Sequence, residues 1–226
     1  MPIGCRIIKT FPRPAPDLVD RFRGIPVTNL DDVMNRTAAV DAAIKPLRFQ
    51  EQLVGPAFTI RLPPGDNLMF HAALDLAQPG DVIVIDAGGF PDRAIFGELM
   101  AAYCQPRGIR GIVCDGAVRD WDALASMEHF PIYARSVTPN GPYKNGPGEI
   151  NVPVVIGGKT VRPGDIVVGD GDGLLFVDPV FAPQLADAAE KICRQEMVIR
   201  KHIQEDGTYL RPWLEEKLQK IGCKIL

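Results

Sequence analysis

Two kinds of apolar run alternate along the chain. Residues 54–62, 82–86 and 111–114 are short and nearly continuously apolar, the pattern of strands buried on both faces. Between them, residues 28–40, 68–77, 97–107 and 121–127 carry apolar positions at looser, roughly helical spacing and read as helices. Residues 17–23 have room for one or two more helical turns. A second group of strands follows at 131–134, 150–156, 160–161, 165–168 and 174–177. Beyond Pro179 the pattern is helical again, over 181–205 and, after Gly207, over 212–221. Leu185, Ala188, Ala189, Ile192, Met197 and Ile199 give the first of these an apolar stripe, the kind that packs on its own sheet or on a neighbouring subunit. Strands interleaved with helices predict an α/β protein in a single compact domain. Its parts are an arm over residues 1–30, a body over 31–178 and a helical extension over 179–226.

Gly and Pro punctuate these runs. Pro63-Pro64-Gly65 closes the first strand, Asp66-Asn67 caps the helix after it, and Gln78-Pro79-Gly80-Asp81 turns into the next strand. Thr28-Asn29-Leu30-Asp31 offers caps for the helix reaching Val40. Ala87-Gly88-Gly89 is either a backbone approach to a ligand or an ordinary strand exit. Residues 138–149 form a long Gly/Pro loop, either a functional lid or surface linkage. Gly169-Asp170-Gly171-Asp172-Gly173 lacks the spaced ligands and closing Glu of a calcium loop and reads as a hairpin turn. Pro79 to Val84 and Pro163 to Val168 echo one another, one short similarity without a solenoid repeat behind it.

Composition narrows the function classes. The 226 residues are 46% hydrophobic and 23% charged, ordinary for a globular protein. A formal net charge of -3 provides no basic field for nucleic acid. No apolar run approaches the ~20 residues of a membrane span, and the N-terminus lacks the apolar core of a signal peptide, so a cytoplasmic protein is expected. The 5 cysteines are widely spaced without a C-x-x-C pair, which indicates neither a zinc cage nor a disulfide framework. Cys104 and Cys114 read as small buried hydrophobes. His71, His129 and His202 are scattered, so a metal would rest on carboxylates and water, the preference of Mg²⁺ or Mn²⁺.

The densest candidate chemistry lies between Phe96 and Asp120. A helix opening at Gly97-Glu98 leads into the apolar run ending at Cys114, and Asp115-Gly116-Ala117-Val118-Arg119-Asp120 follows. Open α/β sheets place their ligands beyond the carboxyl ends of such strands. If helix and strand pack as neighbours, Glu98, Arg119 and Asp120 converge, and a cation beside two carboxylates suits a metal ion and an anionic substrate. The structural alternative is a solvated Arg-Asp pair, with Asp120 as the N-cap of residues 121–127.

Several motifs in order, Pro63-Pro64-Gly65-Asp66-Asn67, Pro79-Gly80-Asp81, Phe96-Gly97-Glu98-Leu99, Arg107-Gly108-Ile109-Arg110-Gly111, Asp115 to Asp120 and Asn151-Val152-Pro153-Val154, carry a resemblance to a known family. The chain resembles, over roughly residues 31–178, the class II pyruvate aldolases for 4-hydroxy-4-methyl-2-oxoglutarate and 4-carboxy-4-hydroxy-2-oxoadipate, together with regulator of ribonuclease activity A. The resemblance implies a compact fold like the swivelling phosphohistidine domain, assembled as a homotrimer or homohexamer with active sites between subunits. The aldolases carry an acidic residue, twenty intervening residues and then Arg-Asp, which Glu98, Arg119 and Asp120 match; Glu98 stands where Asp is usual. The ribonuclease regulator lacks the Asp of that pair, so Asp120 favours the enzymes. The extension, with Arg211-Pro212-Trp213, departs from the family pattern.

The implied reaction is cleavage of a 4-hydroxy-2-keto diacid to pyruvate and a second 2-keto acid, with oxaloacetate decarboxylation as a side activity. Asp120 is the direct ligand of Mg²⁺ or Mn²⁺, and Glu196 of a neighbour is a candidate to complete the water shell. Gly97, Leu99 and Met100 at the helix start receive a substrate carboxylate, Arg119 stabilises the enolate, and Glu98 holds the water that takes the hydroxyl proton. The alternatives are a non-catalytic regulator of a ribonuclease-type partner and a related lyase or decarboxylase acting on another keto acid.

Overall fold

The computed structural model describes residues 3–48 and 51–224. In chain order the strands are β1 (Cys5–Ile7), β2 (Lys45–Pro46), β3 (Leu53–Arg61), β4 (Val82–Asp86), β5 (Ala94–Phe96), β6 (Gly111–Val118), β7 (Ile132–Val137), β8 (Gly148–Ile150), β9 (Val154–Ile156), β10 (Lys159–Val161), β11 (Ile166–Gly169) and β12 (Leu174–Val177). The helices are α1 (Pro16–Asp20), α2 (Val27–Val33), α3 (Leu68–Ala73), α4 (Glu98–Cys104, continued as a 3-10 turn over Gln105–Arg107), α5 (Trp121–Ser126), α6 (Ala182–Asp206) and α7 (Leu214–Lys220). The result is a mixed α/β domain with one large sheet and several helices.

The sheet runs β1-β8-β3-β4-β6-β7-β2. Its centre, β3, β4, β6 and β7, is parallel, and these strands are the continuous apolar runs of the sequence because both faces are covered. One face packs Phe58, Ile83, Ile85 and Ile112 against Phe70 of α3, Ala101 and Cys104 of α4 and Leu124 of α5. The other face packs Val84, Val113 and Tyr133 against β9, β10 and β12. The hairpin β11–β12 extends β3 antiparallel, and the turn over residues 170–173 joins it as the Gly/Asp pattern requires.

β6 is longer than the apolar run suggests. It continues through Asp115-Gly116-Ala117-Val118, with a register shift between Cys114 and Ala117. A buried carboxylate is tolerated there because Asp115 accepts from Arg135 Nε at 2.6 Å and from the Gly157 N–H at 2.7 Å. Asp115 is thereby committed to structure.

Other elements differ from the sequence reading, beginning with the short strands β1, β2 and β5, which fall in stretches where it expected no strand. The helix expected to reach Val40 spans only Val27–Val33, because Asn35 and Arg36 take φ values of 60° and 58° and Asp31 accepts from the N–H groups of Ala38 and Ala39. The helix from Leu68 ends at Ala73 and gives way to turns. The single strand expected over residues 150–156 is two, β8 and β9, interrupted where Asn151 has φ 57° and Pro153 lacks an N–H.

The N-terminal segment is tied to this frame. β1 pairs in parallel with β8, Phe11 packs edge-on against Phe58, and Arg13 makes a bidentate ion pair with the fully buried Asp81 at 2.7 and 2.8 Å. Val19, Phe22, Ile25, Val27 and Leu30 share a third core cluster with Ala182, Ala186 and Ala189 of α6. The distal half of α6 leaves that core, exposing Met197, Val198 and Ile203. Among the described residues no helix is long and apolar enough to cross a membrane.

Candidate active site

β6 ends at Val118, and the next two residues leave the sheet beside the start of α4. The Arg119 N–H donates to the Phe96 carbonyl at 3.0 Å, which clamps the end of β6 to the residue before Gly97. Asp120 then adopts φ 58°, ψ 44°, a left-handed conformation that Asp reaches more readily than most residues. Asp120 precedes α5, yet its side chain does not cap that helix. The carboxylate turns instead to α4, where Oδ2 accepts from the Glu98 N–H at 3.1 Å. The expected alternative role, as N-cap of its own helix, is therefore not what this carboxylate does. Strain at a non-glycine residue is kept to aim a side chain across to a neighbouring helix start.

That contact requires Gly97. A β-carbon there would overlap Asp120 Oδ2 and lie 2.9 Å from Arg119 Cγ. The first turn of α4 carries further donors. The N–H groups of Leu99 and Met100 have no acceptor among the described residues, as the geometry of a helix start dictates. Arg119 Nε lies 3.7 Å from Asp120 Oδ2, and both side chains are 44% exposed. A half-exposed pair at that distance contributes at most about 1 kcal/mol to stability.

Gly97, Leu99, Met100, Arg119 and Asp120 line one cleft of about 280 Å³. Glu98 is not among its lining groups; its backbone N–H holds Asp120, and its side chain is exposed to solvent. Glu196 lies elsewhere, accepting from Asn29 Nδ2 at 2.9 Å where α6 meets α2. Ala87 to Gly89 do not line the cleft either.

Three lining residues with polar side chains were not singled out from the sequence as site residues. Asn67, His71 and Lys144 face the same cleft. Asn67 precedes α3 without a side-chain cap bond; its Nδ2 donates to the Ile95 carbonyl at 2.8 Å, and its buried Oδ1 has no hydrogen-bond partner among the described residues. Burial, followed by the nearby Lys144 charge, holds the His71 pKa below its usual value, so the imidazole is neutral at pH 7. Lys144 belongs to the long Gly/Pro loop, and the lid reading of that loop was the available signal for it.

Among the described residues no three His, Cys, Asp or Glu side chains group as a metal cage. Asp120 is the one carboxylate among the described residues lining the cleft, a sparse oxygen donor. Such a donor fits a hard cation that keeps several waters, as Mg²⁺ does, and does not fit tetrahedral zinc. A cavity of about 320 Å³ near Arg23, Arg110 and His129 lies at the opposite ends of the parallel strands; His129 there already faces Glu51 at 3.1 Å.

Fold and cleft together define an α/β protein with a cleft beyond the carboxyl end of a central parallel strand. Residues 15–176 match the family described as RraA-like, Aldolase/RraA, and the chain belongs to that family. It is 38% identical over 202 residues to a Halalkalibacterium halodurans protein named "Putative 4-hydroxy-4-methyl-2-oxoglutarate aldolase", covering 89% of this chain and 96% of that one. An uncharacterized protein from Pseudomonas syringae pv. tomato has a similar structure, with a TM-score of 0.78 at 25% identity over 88% of this chain and 98% of that one. Streptomyces coelicolor RraAS2, described as an unusual member of the RNase ES inhibitor RraA family, gives a TM-score of 0.72 at 28% identity, over 84% and 100%.

Proposed function

We propose that the protein is a divalent-metal-dependent carbon–carbon lyase. It cleaves a 4-hydroxy-2-keto diacid to pyruvate and a second 2-keto acid, and decarboxylates oxaloacetate as a side activity. The observation that carries this reading is the contact between Asp120 and the first turn of α4. It brings a carboxylate, the Arg119 guanidinium and two N–H groups without acceptors to one cleft. The similarity to the Halalkalibacterium protein supports the same reaction class.

Asp120 holds Mg²⁺ or Mn²⁺ in this scheme. When bound, the cation supplies a Lewis acid at the keto oxygen, where negative charge develops. The Leu99 and Met100 N–H groups orient the substrate carboxylate. Arg119 stabilises the same developing charge through a guanidinium, which spans two oxygens in a fixed plane. Glu98 holds the water that takes the C4 hydroxyl proton. The C3–C4 bond then breaks, its electrons pass into the pyruvate enolate, and protonation at C3 completes pyruvate.

Pyruvate release from oxaloacetate and from 4-hydroxy-4-methyl-2-oxoglutarate, measured with Mg²⁺, with Mn²⁺ and after chelation, tests the scheme. Metal-stimulated release is expected. No release and no exchange of pyruvate methyl protons with either cation overturns it in favour of a non-catalytic regulator of a ribonuclease-type partner, the reading that similarity to RraAS2 supports. Metal-dependent exchange of pyruvate methyl protons without cleavage of either acid points to a related lyase with another keto-acid substrate.

We infer a homotrimer or homohexamer as the working assembly. The exposed Met197, Val198 and Ile203 on distal α6 support burial against another subunit. Light scattering that reports a monomer at micromolar concentration overturns it.

A further inference from the structure

At the end of the parallel strands opposite the catalytic cleft, two cavities join into one groove. The cavity of about 320 Å³ described above and a second of about 400 Å³ share Arg23, Val54 and Arg110 as lining residues. Arg110 directly precedes β6, and the far end of that strand leads into Arg119. The 8 residues of β6, at about 3.3 Å each, hold the groove about 25 Å from the cleft.

The two arms of the groove differ in chemistry. The larger is walled by Pro14, Pro16, Val19, Val54, Pro56 and Pro79. Proline rings offer rigid C–H surface, to which the negative face of an aromatic ring is attracted. The smaller arm is polar, with Glu51, Gln52, Gln105 and His129.

The cations around the groove are unequally committed. Arg13 pairs with the buried Asp81, Arg23 Nε lies 2.7 Å from Asp20, and His129 faces Glu51 at 3.1 Å. Arg110, at the junction of the arms, has no side-chain partner among the described residues. Its backbone N–H donates to the Asp81 carbonyl at 2.8 Å. Its stem runs over Gly55, where a β-carbon would lie 3.5 Å from Arg110 Cγ. The buried Ile109 beside it adds a backbone N–H without an acceptor among the described residues.

We propose that this groove is a second ligand site, for an aromatic monocarboxylate whose anion pairs with Arg110 and whose ring lies in the proline-walled arm. A guanidinium donates two parallel N–H bonds to a carboxylate, and an apolar wall with a few convergent polar groups is the usual lining of a small-molecule site. One unmatched cation suits one negative charge; a second charge on the ligand would meet Asp20 or Glu51. The site is independent of the lyase reading and stands or falls apart from it.

The probe is 2-naphthoate, titrated by saturation-transfer NMR against the full chain in its native assembly. A ligand of that size is expected to bind with a Kd of about 1 mM. Naphthylmethanol, which has the rings without the charge, and acetate, which has the charge without the rings, should each bind about tenfold more weakly or worse. Arg110→Met keeps the stem and removes the charge, and should raise the naphthoate Kd by about tenfold. Arg110→Lys should fall between Met and wild type. Arg110 is exposed, so both variants should melt as wild type does. Arg119→Ala, at the catalytic cleft, should leave the naphthoate Kd unchanged. No naphthoate binding, binding unchanged in Arg110→Met, or binding lost in Arg119→Ala overturns the proposal. Binding seen by light scattering only as the assembly dissociates gives the groove to a second copy of the chain and overturns it as well.

Discussion

The α-carbon of Gly97 and the carboxylate of Asp120 are fitted to one another: a side chain at residue 97 would occupy the space of Asp120 Oδ2. Gly97 itself has φ -142° and ψ -159°, an extended conformation open to any residue. Glycine is therefore needed here for closeness and not for backbone freedom. Gly97→Ala should push the Asp120 and Arg119 side chains outward with little loss of folding free energy, since both end in solvent-exposed atoms. Metal-stimulated pyruvate release is expected to fall about 10²-fold or more, the scale of losing one aligned transition-state stabiliser. The melting temperature should change little. Full activity in Gly97→Ala would show that the fit is incidental.

Asp120 does two things that separate variants can distinguish. Its charge is proposed to hold the cation, and its Oδ2 caps the first turn of α4. Asp120→Asn keeps an acceptor for the Glu98 N–H and tolerates the left-handed backbone, so stability should be nearly unchanged while metal stimulation disappears. Asp120→Ala loses the acceptor and places alanine at φ 58°, which should cost about 1–2 kcal/mol as well. Titration with Mn²⁺ beside a denaturation curve checks both, and retained metal response in Asp120→Asn would end the assignment.

Arg119 is where a structural and a catalytic role diverge most. As a half-exposed partner of Asp120 at 3.7 Å it should matter little to stability, within about 1 kcal/mol. As the enolate stabiliser it should not be replaceable by a point charge. Arg119→Lys is expected to lower kcat by about tenfold or more and Arg119→Ala by about 10²-fold or more. Steady-state kinetics on oxaloacetate with melting curves decide the matter; near-normal kcat in Arg119→Ala would remove this residue from the chemistry.

The Arg13–Asp81 pair fastens the N-terminal segment far from the cleft. Asp81 is fully buried and accepts from Arg13 twice and from the Gln78 N–H. Removing one partner strands a buried charge, so Arg13→Ala should destabilise the fold by about 3 kcal/mol. Arg13→Ala combined with Asp81→Asn should recover part of that loss. Urea unfolding measures both, and a loss below about 1 kcal/mol in the single variant would show the pair to be dispensable.

The alternation of apolar runs was enough to read the α/β class and the central strands. A strand buried on both faces must be apolar throughout, and that pattern is local in the sequence. The convergence of Arg119 and Asp120 with residues 97–100 was legible for a similar reason: strand ends and helix starts in a parallel sheet lie together. The length of β6 was not legible, because Asp115 lies inside a strand only by virtue of Arg135 and the Gly157 N–H, contributed from 20 and 42 residues away. The end of the helix after Gly24 was not legible either, because Asp31 caps a returning backbone and not a helix start.

What the sequence determined by itself is the order of the central strands and helices and the Arg119-Asp120 pair at the end of β6, since both follow from periodicity and residue identity. Only the tertiary structure decided which atom of each residue is used. Asp120 reaches the neighbouring helix in place of its own, and Asn67 donates its amide nitrogen to the Ile95 carbonyl. Each of these choices depends on a partner distant in sequence, and a hydrogen bond's direction is set by the position of that partner, which no local pattern encodes.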